Sequence, residues 1–364
     1  MTEQPTAELQ PRLEPQLRVE GLVKHFPLRR SLIARLGGQK AELVKAVDDV
    51  DLVVAKGEVH GLVGETGCGK STLARCIAGL YEPTGGEIRL DGRLLSSGRH
   101  RESGRHIQMV FQDPYSSLNP RMTVAQTVGE ILRVLRKVPR SELPARGNET
   151  LGLVGFPTAL AHVYPRQLSG GLRQRVSIAR ALAAEPEILL ADEAVSALDV
   201  SVQATILNLL ADLRQKLGLT ILLITHDMAV VRHVSDHVAV MYLGRIVERG
   251  PAEDLFTDPR HPYSQGLISA VPRLKPGGGL HSPAVTGDPP SPIRLPAGCR
   301  YHPRCQYVEG ICRKESPELR QITGQSGHQA ACHFANEMGS TRDPAHAAAS
   351  PRSTNSVVDS SGKS

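Results

Sequence analysis

One segment, Gly64–Thr72, constrains the fold of this chain more than any other. It fits the pattern G-x-x-x-x-G-K-[ST], with an apolar run at 58–63 before it and a stretch of helical character at 73–80 after it. Strand, glycine-rich loop and helix in this order predict a turn whose N–H groups converge on an anion at the positive end of a helix dipole. We therefore predict a phosphate-binding loop made by Gly64, Glu65, Thr66, Gly67, Cys68, Gly69, Lys70, Ser71 and Thr72.

Four residues, three of them charged, extend the prediction of a phosphate-binding loop to the chemistry of the site. In the loop pattern, Lys70 reaches the β- and γ-phosphates of a nucleotide and takes part in catalysis, while the Ser71 hydroxyl coordinates Mg²⁺. The apolar run 188–191 ends in Asp192 and Glu193. A carboxylate at the end of a buried strand would lie beside Mg²⁺, so we predict Asp192 as a metal ligand and Glu193 as the catalytic residue that polarises the attacking water.

The rest of the chain predicts an α/β fold with additions. Short apolar runs at 107–111, 188–191 and 220–225 alternate with helical segments, as buried parallel strands do. Leu, Val and Arg recur at helical spacing over 123–182, which predicts a helical subdomain. Our division is a flexible lead (1–15), a nucleotide-binding core (16–270), a small irregular cysteine-bearing extension (271–334) and a disordered tail (335–364).

Composition excludes several classes of protein. Of 364 residues, 40% are hydrophobic and 22% charged, which is typical of a globular domain. The sequence contains no run of about 18 apolar residues, so we expect no membrane-spanning helix, and the polar start of the chain does not resemble a signal peptide. The net charge of +6 is not gathered into a basic stripe with aromatics, so we expect no nucleic-acid partner. We expect a cytosolic chain, or one held at a membrane by its partners alone.

Between the phosphate loop and the acidic pair lies Leu168–Leu172, which reads Leu-Ser-Gly-Gly-Leu. Here the chain resembles the ABC ATPase family, whose signature loop is LSGGQ, and the resemblance covers roughly residues 19–270. It implies that two ATPase subunits enclose two ATP molecules. The signature of one subunit, here Ser169, Gly170 and Gly171, would bind nucleotide in the site of the other subunit.

The same resemblance implies roles for four more residues. Phe26 would stack on adenine, and Gln112 would contact Mg²⁺ and sense a permease. Asp199 closes a segment, Ser-Ala-Leu-Asp, that is similar to the D-loop, and His226 would be the catalytic switch histidine. Taken singly, a histidine or a phenylalanine is more often structural, so these two interpretations depend on the order of the motifs.

Two positions depart from the family pattern. Leu172 replaces the glutamine of the signature, and Ala194-Val195 follows Glu193 where proline is usual. The backbone of the signature can still bind phosphate without the glutamine amide. Our hypothesis is that the composite nucleotide site containing this signature works less well than its counterpart.

Four cysteines follow the core, at Cys299, Cys305, Cys312 and Cys332. Four thiolates from one chain suit an iron–sulfur cluster or zinc, although the C-x2-C pairs of zinc ribbons are absent from the sequence. The region resembles the C-terminal extension of oligopeptide/dipeptide importer ATPases, some of which are thought to hold a [4Fe–4S] cluster. We predict a metal site, with iron–sulfur favoured over zinc and packed reduced thiols as the alternative.

The resemblance implies an importer ATPase at the cytoplasmic face of the cell membrane. Its partners would be a second, homologous ATPase subunit, two permease subunits and, indirectly, an extracytoplasmic solute-binding protein. Peptides are the expected cargo, with nickel chelates or oligosaccharides as alternatives. A soluble repair or translation ATPase is the rival class. Only about a hundred residues separate the phosphate loop from the signature, which leaves no space for the coiled-coil arm of repair ATPases. An exporter is a third, weaker alternative.

Overall fold

The computed structural model describes residues 15–28, 42–95, 104–196, 198–271, 285 and 287–338. The strands, in chain order, are β1 (Pro15–Pro27), β2 (Leu43–Ala55), β3 (Val59–Val63), β4 (Gly85–Leu90), β5 (Arg93–Leu94), β6 (Ile107–Val110), β7 (Ile188–Asp192), β8 (Thr220–Thr225), β9 (His237–Tyr242), β10 (Arg245–Pro251), β11 (Arg320–Gln321) and β12 (Gln329–Ala330).

The helices, also in chain order, are α1 (Lys70–Ile77), α2 (Pro114–Ser117), α3 (Val124–Val134), α4 (Leu143–Leu153), α5 (Gly170–Leu182), α6 (Val200–Leu217), α7 (Met228–Val234), α8 (Ala252–Thr257), α9 (Pro262–Ser269) and α10 (Gly310–Lys314). None of the helices in the described ranges is long and apolar enough to cross a membrane.

The central sheet has eight strands in the order β11-β12-β10-β9-β3-β8-β7-β6. The five strands from β9 to β6 are mutually parallel. Strands β3, β7 and β8 are buried along their whole length, which is why the sequence has continuous apolar runs there. The carboxyl ends of parallel strands meet at one edge of a sheet. The segments that follow β3, β7 and β8 therefore converge, and these segments carry the predicted site.

A second, antiparallel sheet has the order β2-β1-β4-β5. A tight turn at Asp91-Gly92 joins β4 to β5, and both residues have positive φ, 45° and 75°. Apolar side chains of this sheet pack with those of α1 and the central sheet in one core that includes Leu17, Leu52, Leu62 and Leu73, all fully buried. This packing seats α1, and the loop before it, between the two sheets.

Three α-helices, α3, α4 and α5, lie between β6 and β7 within the interval 123–182. Helix α3 begins at a capping box: the Thr123 hydroxyl accepts from Gln126 N–H (3.3 Å), and the Gln126 side chain accepts from Thr123 N–H (2.8 Å). Their shared core includes Val128, Leu151 and Val176, each fully buried. Helix α5 starts immediately after Ser169, so this packing also positions the signature.

The C-terminal extension is less irregular than its sequence suggests, because it adds two strands to the central sheet. Strand β12 pairs antiparallel with β10, where Glu248 faces Ala330, and β11 pairs with β12. The Glu248 side chain is fully buried and contacts His328 Nε2 at 2.8 Å. The predicted tail also begins too early, at 335, since Ala335 and Met338 are buried. Residues 339–364 lie outside the described part of the chain.

Candidate nucleotide site

The predicted phosphate loop connects β3 to α1. Gly69 immediately precedes α1 with φ of 114°, and a Cβ atom there would lie 2.1 Å from the Ala46 carbonyl oxygen. Only glycine fits this position without moving the backbone. Thr66 and Gly67, at the tip of the loop, are exposed, whereas Cys68 is buried. The loop is thus anchored at its base and open at its tip.

The Lys70 ammonium group is hydrogen-bonded to the backbone of the phosphate loop. It donates hydrogen bonds to the carbonyl oxygens of Gly64 (2.7 Å) and Glu65 (3.0 Å), and its residue is 4% exposed. A buried ammonium group is costly unless it is hydrogen-bonded, so these carbonyls hold the charge in position beside the loop. Thr72 follows Ser71 in the first turn of α1, half-buried.

Ser71 and Asp192 lie together although they are 121 residues apart in sequence. The Ser71 hydroxyl donates to Asp192 Oδ1 at 2.9 Å, which joins the start of α1 to the end of β7. Burial raises the pKa of Asp192, and the hydrogen bond from Ser71 opposes that rise. The pair presents two oxygen donors of the type that Mg²⁺ prefers.

Glu193 is held between two predicted site residues. Gln112 Nε2 donates to Glu193 Oε2 at 2.8 Å, and His226 Nδ1 lies 3.4 Å from Oε1. Glu193 has a φ of 46°, which is uncommon for a residue with a side chain, and its N–H donates to the Ile224 carbonyl (2.8 Å). The predicted catalytic residues Glu193 and His226 and the predicted Mg²⁺ ligand Gln112 are therefore brought together.

The signature segment is on the surface. Ser169 is exposed and caps α5, its hydroxyl accepting from Leu172 N–H at 3.4 Å. At Gly171 an added Cβ atom would lie only 2.8 Å from the Val202 side chain, whereas at Gly170 it would make an ordinary contact of 3.4 Å with Leu198.

The predicted D-loop leads from Glu193 to α6. The Ser196 hydroxyl donates to the Glu193 carbonyl at 2.9 Å, and Ala197 lies outside the described residues. Asp199 is exposed at the start of α6, and the following Val200 is 83% exposed. Ala194, which stands where the family pattern has proline, is buried in the core and 3% exposed. This surface therefore combines the exposed ends of two helices with an exposed apolar side chain.

Phe26 lies near the end of β1 and is half-buried. Its ring meets Tyr81 edge-on at 5.5 Å between centroids, and the Lys24 ammonium lies 5.0 Å from the Phe26 centroid. A stacked adenine at this aromatic ring stays a prediction.

Sequence reasoning missed two residues that hold the phosphate loop. Arg304, from the extension, donates to both carboxylate oxygens of Glu65 (2.7 and 2.9 Å). The Tyr263 hydroxyl, from α9, accepts from Glu65 N–H at 2.7 Å. Arg304 and Glu65 are 239 residues apart, and no local pattern indicates that they meet.

The four cysteines of the extension do not form a metal site in the described ranges. No group of three or more His, Cys, Asp or Glu side chains there could hold a metal ion. Burial raises the pKa of Cys332 to about 12, and the charges of Cys299, Cys305 and Cys312 add to the rise. The geometry therefore gives the predicted iron–sulfur or zinc site no support.

Comparison with protein families identifies two regions of the chain. Residues 47–196 match the ABC transporter family, and residues 247–312 match the oligopeptide/dipeptide transporter C-terminal region. A protein of Sinorhizobium fredii, named as a peptide ABC transporter ATP-binding protein, is 45% identical over 87% of this chain and 89% of its own length. A protein of Brucella abortus, named as a peptide import ATP-binding protein, is 46% identical over 87% of this chain and 93% of its own.

Solved structures show the same fold. CbiO1 of Clostridium perfringens, part of the ABC transporter complex CbiONQ, is 30% identical with a TM-score of 0.58, over 66% of this chain and 90% of its own. The ATP-binding cassette MJ0796, solved as a post-hydrolysis dimer with ADP and Pi, is 28% identical with a TM-score of 0.56, over 65% of this chain and 98% of its own. The chain therefore belongs to the ATP-binding subunits of ABC transporters, in the group with the oligopeptide/dipeptide C-terminal region.

Proposed function

We propose that this chain hydrolyses ATP to drive the import of peptides through a membrane permease. The observation that carries the catalytic part is the position of Glu193, held by Gln112 and facing His226 beside the pair Ser71–Asp192. In this proposal the Glu193 carboxylate takes a proton from the attacking water, and His226 contacts the transferred phosphate. Lys70 and the loop N–H groups neutralise the β- and γ-phosphates.

Magnesium would be held by Ser71, Asp192 and Gln112. The Ser71 hydroxyl and the Asp192 carboxylate are already 2.9 Å apart, and Mg²⁺ sites that bind nucleotides use one or two protein oxygens together with phosphate oxygens. The ion would supply charge stabilisation on the phosphates. A cation next to Asp192 would also favour the charged carboxylate that burial disfavours.

A second ATPase subunit would bind at the surface formed by the signature, Ser169–Gly171, and the start of α6. Ser169 and Asp199 are exposed, and the largely exposed Val200 gives the surface an apolar side chain to bury. ATP bound between the two subunits would join them, and hydrolysis would let them separate. Since inverting a two-state equilibrium from 1:99 to 99:1 takes about 5.5 kcal/mol, a few charge-assisted contacts to the γ-phosphate are sufficient.

The permease would contact the helical region between β6 and β7. A groove of about 830 Å³ lies there between α3 and α4, and it combines apolar side chains such as Met122 and Leu143 with charged ones such as Arg133 and Glu130. A helical segment of a permease with complementary charge fits such a groove. The chain would then lie at the cytoplasmic face of the membrane. The names of the relatives favour peptides over nickel chelates or oligosaccharides as cargo.

Co-purification tests this proposal. Tagged Glu193→Gln, which should bind ATP and hydrolyse it poorly, is solubilised from membranes with ATP and Mg²⁺, and the accompanying chains are identified. Recovery of a second ATPase and two membrane-embedded subunits is the expected result. The matched control is Glu253→Gln, an exposed acid in α8. Recovery from the soluble fraction with ribosomes or DNA-repair factors would instead establish the rival class.

We propose separately that Cys299, Cys305, Cys312 and Cys332, which are not assembled as a metal site in the described structure, come together when they bind a metal. The support is the donor set, because thiolates suit iron–sulfur clusters and zinc, together with the backbone bond from Cys299 N–H to the Cys312 carbonyl (2.9 Å). Iron, acid-labile sulfide and zinc are measured in anaerobically purified chain. Metal lost in Cys332→Ser supports the proposal, and metal-free wild-type chain contradicts it.

A further inference from the structure

The side chain of Glu65 is a carboxylate inside a loop that binds phosphate. Negative charge there repels the phosphates of ATP unless it is neutralised, and the repulsion is strong near a partly desolvated site. The structure provides the neutralising group from the far end of the chain. The Arg304 guanidinium binds the Glu65 carboxylate in a bidentate pair, and the Arg304 side chain is 4% exposed.

Arg304 is itself held in a prepared site. It ends a 3-10 turn, His302–Arg304, and its N–H donates to the Tyr301 carbonyl at 3.0 Å. The guanidinium carbon lies 5.8 Å from the centroid of the Tyr242 ring and 5.9 Å from that of Tyr301, so two buried aromatic rings support the cation. The rings of Tyr242 and Tyr301 also contact each other, at 5.3 Å between centroids.

All three polar groups of Glu65 are thereby fixed. Its carboxylate is bound by Arg304, its N–H by the Tyr263 hydroxyl, and its carbonyl accepts from the Lys70 ammonium group. Only one residue, Glu65, therefore separates Arg304 from the lysine that binds phosphate. One carbonyl that Lys70 binds therefore belongs to the residue whose carboxylate is held by the C-terminal extension.

We infer that Arg304 is a positioning residue of the nucleotide site, and that the C-terminal extension sets the affinity for ATP by neutralising and orienting Glu65. The extension is then a working part of the ATPase. Any partner or chemical change that moves the turn at Arg304 alters nucleotide binding.

Nucleotide titration of the full-length chain tests this inference. A fluorescent ATP analogue with Mg²⁺ is titrated into wild type, Arg304→Gln, Arg304→Lys and Glu65→Gln. We expect the Kd of Arg304→Gln to rise by between about fivefold and about a hundredfold, the span of typical coupling free energies. Arg304→Lys keeps the positive charge but cannot form the bidentate pair, so its Kd should lie between those of wild type and Arg304→Gln.

The double variant Glu65→Gln/Arg304→Gln separates this role from a general loss of stability. Removing the carboxylate removes the charge that Arg304→Gln leaves exposed to the phosphates, so the double variant should bind ATP more tightly than Arg304→Gln alone. Hydrogen exchange of residues 64–72 should rise in Arg304→Gln while exchange in the strands of the central sheet stays unchanged.

The matched control is Arg249→Gln, because Arg249 also joins the core to the extension, through Gln329 Oε1 at 2.7 Å, without touching the loop. It should bind ATP like wild type. If Arg304→Gln does not yield folded chain, Arg304→Lys carries the same test, with a Kd above that of wild type as the expected result. A Kd for Arg304→Gln within about twofold of wild type, or a double variant whose losses simply add, would overturn the inference.

Discussion

The amide of Gln112 donates a 2.8 Å hydrogen bond to the carboxylate of Glu193, across 81 residues of sequence. Gln112 follows β6 and leads into the helical region, whereas Glu193 comes directly after the buried strand β7. Movement of the helical region that pulls Gln112 away would change the contacts of the proposed catalytic base. The same hydrogen bond therefore offers a route from a permease to the hydrolysis step.

Replacing the base should abolish turnover and spare binding. Glu193→Gln keeps the size and the hydrogen-bonding capacity of the side chain but cannot accept a proton from water. We expect kcat to fall by about 10²–10⁴-fold, the usual contribution of a general base, while the Kd for ATP stays the same. Phosphate release and nucleotide titration measure the two quantities, with Glu253→Gln as the control. A Glu193→Gln variant that keeps most of its turnover would show that another group activates the water.

Two glycines of the phosphate loop should tolerate alanine very differently. At Gly67, with φ of 82°, an added Cβ meets nothing within 4 Å, so Gly67→Ala should lower the free energy of unfolding by only about 1–2 kcal/mol. At Gly69 the Cβ meets the Ala46 carbonyl oxygen at 2.1 Å, so backbone must move. Gly69→Ala should therefore lower the free energy of unfolding, measured with urea, by more than Gly67→Ala does. Equal losses at the two positions would contradict the packing described here.

Restoring the signature glutamine should improve the composite site. Leu172 is half-buried against the helical core, and its N–H is occupied by the Ser169 hydroxyl. Leu172→Gln adds an amide donor near phosphate, worth about 0.5–1.5 kcal/mol for one hydrogen bond. We expect the ATPase rate of the assembled complex to rise, up to about tenfold. Leu172→Met, which keeps the packing without the amide, should leave the rate unchanged. An unchanged rate in Leu172→Gln would end the hypothesis of a weakened site.

A buried cluster remote from the loop should control acid stability. Burial by itself would raise the pKa of Glu58, but hydrogen bonds from His237 and His60 outweigh it and hold that pKa at about 2. The bond to Glu58 in turn raises the pKa of His237, to which the charge of Asp236 also contributes.

The signs of the two shifts are opposite. The lowered pKa of Glu58 stabilises the fold above its ordinary value of 4.5, and this stabilisation is lost as pH falls toward about 2. The raised pKa of His237 stabilises the fold below its ordinary value of 6.5, and this is lost as pH rises through the shifted pKa. The cluster should therefore contribute most between 4.5 and 6.5. Urea unfolding between pH 4.5 and about 2 should show a weaker acid dependence in Glu58→Gln than in wild type, and an unchanged one would contradict the assignment.

Sequence patterns were sufficient for the parts of the site that a single strand or loop creates. The loop before α1 and the acids at the boundary of β7, Asp192 and Glu193, follow from apolar runs and their limits, and parallel pairing then brings His226 to the same edge. The bond between Gln112 and Glu193 was not predictable, because it depends on how distant segments pack.

In the extension, too, the features that depend on packing between distant segments could not be predicted from the sequence. Its two strands are two residues long, too short for an alternating pattern to mark them. Its cysteine spacing predicted a metal site that the described side chains do not assemble. The contact of Arg304 with Glu65 could not be predicted from a local sequence pattern, because it forms only when the extension folds back over the core.

ATP-driven uptake of labelled peptide into proteoliposomes shows directly whether this chain drives peptide import. The complex that co-purifies with this chain is reconstituted with ATP and Mg²⁺ on the side of the ATPase subunits, and with the solute-binding protein on the other. We predict peptide accumulation that requires ATP, and its loss with Glu193→Gln. Accumulation that proceeds equally with Glu193→Gln, or ATP hydrolysis without any peptide movement, would show that this chain does not drive peptide import.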